Sequence, residues 1–412
     1  MTRSLPSSMR RAAGLACVSA TLLLAACGGG GGGGADASRP PSSADYGGVC
    51  TPEGQKLFVR SYLDEVYLWY DEIVNLNPAN YSSAPDYFRA LLVPKDRYSD
   101  GSGSYSGFEP TSLAATATAA AGTALKLTAG DSVPEYKTVR SPGGRTAGYV
   151  RVDDFLTGAQ DQLITAFNYL KAQSGVQDLV LDLRFNGGGY LYSAQAAASM
   201  VTAPAAEGRV FERLQFNNKR QAESERNTFY FTNKVQFAER QYPAGTMLPQ
   251  LSLPRVYVLS SALTCSASES VINSLRGIDV EVIVVGEEAT CGKPFGFRAR
   301  PNCGITYYAV EFQGYNAKGF GDYQAGFTPQ CRVTDNETIE PGTANDPLLA
   351  GALFHADTNS CPAGTATGAP SKASLLSQGL ATGVTAGRSA SRPASASQPG
   401  VNGRLLLPTA TP

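Results

Sequence analysis

Two short stretches carry residues whose types could do chemistry together. The first is Thr264-Cys265-Ser266-Ala267-Ser268-Glu269, and the second is Gly286-Glu287-Glu288-Ala289-Thr290-Cys291-Gly292-Lys293. The apolar run Val256-Tyr257-Val258-Leu259 precedes the first and predicts a buried strand. Ala267, Val271, Ile272 and Leu275 follow at helical spacing and predict a helix. The turn between them puts Ser266 at a helix N-terminus, where the Ala267 N–H is free to donate. Such a serine is a candidate nucleophile, and it is equally a helix N-cap. Lys293 is the candidate base, because an amine kept neutral by desolvation can take a hydroxyl proton. A loop lysine is ordinarily solvated, so the surrounding pattern has to carry the assignment.

Rival chemistries have less support. The run Gly187-Gly188-Gly189 follows the apolar strand Leu179-Val180-Leu181-Asp182-Leu183, but Tyr190, Leu191 and Tyr192 come next, so the dinucleotide spacing is absent. Lys293 is followed by Pro294, which rules out a phosphate loop there. Tight glycines can instead aim backbone N–H groups into a cavity and stabilise an oxyanion, or simply make a turn. A serine–histidine triad would need His355, the only histidine, which reads as a surface or packing residue beside a low-complexity tail. A zinc site lacks any C-x-x-C pair, and no metal or cofactor is expected. Lys and Arg total 34 against 35 Asp and Glu, a net charge of −1, which gives no electrostatic case for nucleic acid.

The elements that must position these groups follow in chain order. Arg3, Arg10 and Arg11 precede a short apolar core, Ala12 to Ala26, as in an export signal too short to span a bilayer. Leu24-Ala25-Ala26-Cys27-Gly28 resembles the lipobox of bacterial lipoproteins, which implies cleavage before Cys27 and lipid on its thiol; plain secretion is the alternative. Gly28 to Gly34 reads as a tether. Leu57, Tyr62, Val66, Trp69 and Ile73 recur at roughly helical spacing until Pro78, and Tyr87, Phe88, Leu91 and Leu92 predict a second short helix. The stripe Tyr62, Tyr67, Trp69 and Tyr70 is read as core packing. From Ala147 the pattern alternates as in an α/β domain. Strands are predicted at 147–152, 179–183, 256–260, 280–285 and 305–312, with helices around Leu163 to Leu170 and from about Tyr190 to Met200. Ala124 to Thr128 is a further candidate strand. After about Pro362 the chain turns Ala-, Ser-, Thr-, Gly- and Pro-rich and reads as disordered, with Leu405-Leu406-Leu407 a weak candidate for docking.

In sequence order, Asp182-Leu183-Arg184-x-Asn186-x-Gly188-Gly189, Thr264-x-Ser266-Ala267-Ser268-Glu269 and Gly286-Glu287-x-x-Thr290-x-Gly292-Lys293 resemble the C-terminal processing, or tail-specific, serine peptidases. Tyr67-Leu68-Trp69-Tyr70 and Asp96-Arg97-Tyr98-Ser99 are similar to the helical region of exported members. The likeness spans about residues 55 to 100 and 145 to 335. It implies an α/β core related to ClpP and crotonase, with a small N-terminal helical region. It implies Ser266 as nucleophile, Lys293 as general base, and N–H groups of Ala267 and Gly188, with Gly187 as the alternate, as the oxyanion hole. Asp182 and Arg184 are read as setting the glycine turn, and Glu269 as capping or orienting the Ser266 helix. Two departures stand out. Residues 100–145 are too few for the usual PDZ domain. Phe295 and Phe297 also stand where the family often places a glutamine to orient the amine.

The remaining thiols of an exported chain are expected in disulfides. The preferred set is Cys265–Cys291, Cys303–Cys331 and Cys50–Cys361. The organisation expected is a signal at 1–26, a linker at 27–48, helices at 49–99, a linker or PDZ remnant at 100–145, the core at 146–355 and a tail at 356–412. The expected activity is serine-type endopeptidase action on envelope proteins or peptides near unstructured C-termini, by a lipid-anchored protein of the bacterial envelope facing the periplasm. The partners are then a peptide or protein substrate and the membrane. The alternative is a peptide-binding lipoprotein with weak or lost chemistry.

Overall fold

The computed structural model describes residues 41–98, 103–111, 131–363 and 404–405. The export signal, Cys27, the glycine tether, the candidate strand at 124–128 and most of the tail lie outside the described residues. Among the described residues, no helix is long and apolar enough to cross a membrane.

Helix α1 spans Pro52–Val66. Thr51 caps it by accepting from Gly54 N at 3.1 Å, and Pro52 occupies the first turn. It stops at Val66, so Trp69 and Ile73 do not continue its stripe. They lie around a 3₁₀ turn at Tyr70–Glu72 and pack, half-buried, against the same cluster. Helix α2 (Ala84–Leu91) is capped by Ser83. Phe58, Tyr62, Tyr67 and Phe88 from this region share one apolar core with Phe295, Tyr307, Ala309 and Val310.

After β1 (Gly107–Pro110), β2 (Glu135–Arg140) and β3 (Thr146–Arg151) form an antiparallel pair. Then come α3 (Ala159–Ala172), β4 (Val176–Asp182), β5 (Gly189–Tyr190), α4 (Leu191–Val201), β6 (Val210–Phe216), α5 (Gln221–Arg226) and β7 (Thr228–Tyr230). Strand β8 (Arg255–Ser260), α6 (Ala267–Gly277) and β9 (Glu281–Gly286) follow. Strands β10 (Phe295–Phe297), β11 (Arg300–Asn302), β12 (Ile305–Tyr308), β13 (Phe312–Tyr315) and β14 (Cys331–Arg332) precede α7 (Pro347–Thr358), and β15 (Arg404–Leu405) comes from the C-terminal segment.

The central sheet runs β14-β9-β8-β4-β3-β2, with every neighbouring pair parallel except β3 and β2. Alternation along its strands divides the core. Val256, Val258, Val282 and Val284 face the layer of α3, α4 and α6. Tyr257, Leu259, Ile283 and Val285 face α7. The helix therefore carries the fold past residue 355, and the chain stays ordered to its disulfide at Cys361. A second sheet runs β5-β15-β10-β13-β6-β7, and a third, β1-β12-β11, is antiparallel.

The strand expected over 305–312 is two strands in two sheets. Side chains intercept the ladder between them: Tyr62 Oη accepts from Ala309 N at 3.0 Å, and Ser106 Oγ from Val310 N at 2.9 Å. The disulfides are Cys50–Cys303, Cys265–Cys291 and Cys331–Cys361. The first and third correct the expected Cys303–Cys331 and Cys50–Cys361. Cys50 precedes α1 beside the β11–β12 turn, where Gly48 N donates to Asn302 Oδ1 at 2.9 Å. Cys331, on edge strand β14, meets the end of α7 instead.

Candidate active site

Ser266 sits between β8 and α6, fully buried. Its φ of +59° and ψ of −111° lie outside the regions open to ordinary L-residues. Such strain persists only where surroundings impose it, and here they are bonded on several sides. Cys265 N donates to Asn186 O at 3.0 Å, Ser268 Oγ to the same carbonyl at 3.0 Å, and Thr264 Oγ1 to Leu183 O at 2.8 Å. Ser261 Oγ also donates to Arg184 O. The loop after β4 and the loop after β8 are thus one bonded unit. Gly188, at φ +108°, completes it: a Cβ there would stand 3.0 Å from Ser266 Cβ and 3.2 Å from Ala267 N. Only glycine fits.

Among the described residues, Ser266 Oγ has no hydrogen-bond partner and makes no side-chain cap bond. The cap comes from Glu269 instead. Its buried carboxylate accepts from Ser266 N (2.8 Å) and Lys293 N (2.8 Å) on Oε2, and from Thr290 Oγ1 (2.6 Å) and Gly292 N (2.8 Å) on Oε1. One carboxylate therefore ties the serine and lysine segments together. The Cys265–Cys291 disulfide adds a covalent tie, with Cα atoms 5.2 Å apart.

Lys293 is 4% exposed. Burial lowers its amine to about 8, against the opposing pull of the Asp96 and Glu269 charges. The Phe297 ring centroid is 5.2 Å from Nζ. Nothing in the local sequence around Lys293 points to Asp96. That residue is fully buried, and burial pushes its carboxyl up to about 6. It accepts from Tyr67 Oη at 2.7 Å, Ser106 Oγ at 2.5 Å and Ser106 N at 2.7 Å. Tyr105 Oη also donates to Gly292 O at 2.9 Å. The signal was the Asp96-Arg97-Tyr98-Ser99 motif, which sequence alone could not place beside Lys293. Tyr67, read as core packing, is both buried and a donor to this carboxylate.

Of the three glycine-turn and helix donors expected, Ala267 N–H heads α6 and has no acceptor inside the helix. Gly188 N–H donates to Asn186 Oδ1 at 2.9 Å and is engaged in this state. Gly187 is half-buried. Arg184 anchors the turn from behind, binding Asp182, Asp335 and Asp346 at 2.6–3.0 Å. His355 lies on α7, across the sheet from α6, with Nδ1 3.1 Å from Tyr257 Oη. Among the described residues, the one grouping of metal-ligand types is Cys331, His355 and Cys361, and both its sulfurs are spent in a disulfide.

The model for peptidase family S41 matches residues 146–333, and that for the peptidase S41 N-terminal domain matches 54–99. No curated protein sequence matches the chain. A Bacteroides fragilis protein assigned to the S41 proteases superposes at a TM-score of 0.57 and 18% identity, over 74% of this chain and 97% of its own. A Parabacteroides merdae protein assigned as a peptidase gives 0.41 at 16% identity, over 70% and 91%. The photosystem II D1 C-terminal processing protease gives 0.36 at 20% identity, over 50% and 48%. The first superposition shows a shared fold, and the two weaker ones carry no argument. With the strand-to-helix serine turn and the lysine loop inside the first matched span, and Asp96 inside the second, the chain belongs to peptidase family S41, a family of serine-type peptidases.

Proposed function

We propose that the protein is a serine endopeptidase that hydrolyses peptide bonds with Ser266 as nucleophile and Lys293 as general base. The observation that carries this is the shared Glu269 carboxylate, which fixes both segments around a buried amine whose pKa burial has lowered to about 8. Neutral Lys293 takes the Ser266 proton as Oγ attacks the substrate carbonyl. The oxyanion receives the Ala267 N–H and a second N–H from the glycine turn. The lysine, now protonated, gives its proton to the leaving amine, and an acyl-serine remains. Lys293 then takes a proton from water, whose oxygen attacks the ester, and returns it to Ser266 as the acid product leaves. The amine and hydroxyl are not bonded to each other in this state, and such bonds commonly tighten only around substrate.

Substrates in this reading are extended segments near unstructured C-termini, met at the bacterial envelope by a chain held through lipid on Cys27. The test is a fluorophosphonate probe on the purified protein, followed by peptide mapping. Labelling at Ser266, abolished in Ser266→Ala, supports the enzyme. A folded chain that takes up no probe and cleaves no peptide leaves a peptide-binding protein, the reading favoured by Gly188 N–H being already engaged.

A further inference from the structure

The second sheet has a feature that the catalytic account does not use. Its second strand is β15, Arg404–Leu405, inserted between β5 and β10 and parallel to both. Arg404 is opposite Gly189 on one side and Gly296 on the other, and Leu405 is opposite Tyr190 and Phe297. The outer edges of the two flanking strands are already paired. Phe155 bonds β5 through Phe155 N to Gly188 O (2.9 Å) and Tyr190 N to Phe155 O (2.8 Å), and β13 pairs β10. The inner edges therefore face each other across two strand spacings, about 10 Å, a slot one strand wide. Its walls are the two halves of the site. Strand β5 begins at the residue after Gly188, whose added Cβ would touch Ser266, and β10 begins two residues after Lys293.

An unpaired strand edge recruits an extended peptide by main-chain hydrogen bonds. We propose that this slot is the peptide-docking groove and that the chain's own C-terminal segment at Arg404–Leu405 is its resident occupant, which holds the enzyme self-blocked until displaced. The proposal rests on the peptidase reading for its consequence, but not for the occupancy itself. Covalent attachment makes docking intramolecular, so a segment of modest affinity excludes dilute substrate. Pairing through main-chain groups also makes the contact tolerant of side-chain identity, which suits a tail of low-complexity sequence.

The test uses the full chain carrying Arg404→Pro and Leu405→Pro, which removes both main-chain donors of the strand. In the variant, fluorophosphonate labelling of Ser266 and kcat/KM on an extended reporter peptide should rise roughly tenfold. A fluorescein-labelled peptide of residues 400–412 should bind the same variant carrying Ser266→Ala, read by anisotropy, and bind the chain with an intact tail far more weakly. Unlabelled peptide should also inhibit the active proline variant competitively. Equal rates in both chains with no peptide binding would overturn the occupancy and leave the peptidase standing. Peptide binding to the proline variant with no labelling or cleavage in either chain would do the reverse.

Discussion

Replacing Glu269 by glutamine isolates what its charge does, because the side chain keeps its shape. The carboxylate accepts from Ser266 N, Lys293 N, Gly292 N and Thr290 Oγ1 at 2.6–2.8 Å. An amide can accept on one end only. The least costly orientation turns the NH₂ toward Thr290, whose hydroxyl can reverse and accept, but Gly292 N–H is then left buried without a partner. Bonds to a charged acceptor contribute about 1.5–3 kcal/mol each, and an orphaned buried donor costs about 1–3 kcal/mol. One lost bond, one orphan and weaker bonds at Ser266 and Lys293 sum to about 3–5 kcal/mol. For a domain of this size each kcal/mol moves the melting midpoint by about 2 °C, so Glu269→Gln should melt about 6–10 °C lower in calorimetry. Loosening Ser266 against Lys293 should also lower kcat by about a hundredfold, with little change in KM. A variant with wild-type melting and wild-type kcat would refute the claim that this carboxylate assembles the site.

Ser266→Ala should abolish hydrolysis of a reporter peptide while leaving the melting midpoint and the circular dichroism unchanged. Since Lys293 must be neutral to act and its amine lies at about 8, kcat/KM should climb as pH rises through about 8 and level off above it. The Asp96 charge raises the Lys293 pKa, so Asp96→Asn should move that limb to lower pH by about one unit, read from the pH profile. Opening the Cys265–Cys291 loop, with a sequence separation of 26, by a double alanine substitution should destabilise the fold by about 3.5 kcal/mol in denaturant titration. Non-reducing peptide mapping should recover Cys50–Cys303 and Cys331–Cys361 and find no Cys303–Cys331 link.

The parallel core was legible because its strands and helices announce themselves by local periodicity. Strands β4, β8 and β9 and helices α3 and α4 fall within a few residues of where the apolar pattern puts them. The serine turn and lysine loop were legible as motifs. What sequence did not give depends on contacts across long separations. Disulfide partners depend on which loop meets which edge, so only Cys265–Cys291, whose two halves flank the motifs, was assigned correctly. Asp96 lies nearly two hundred positions before Lys293, and no periodicity links them. The break at 309–311 was invisible because the groups that interrupt the ladder, Tyr62 and Ser106, come from another region. Short strands such as β5 and β15 are too brief for a pattern to show.

The helical region at the front of the chain shares its apolar core with Phe295, two residues beyond Lys293, and sends Asp96 toward the amine. It is therefore not an appendage that can be trimmed to reach a minimal enzyme. A chimaera that exchanged residues 146–333 alone between relatives would import a base without the surroundings that set its proton affinity. The unit that travels intact in such an exchange is the pair of matched segments together.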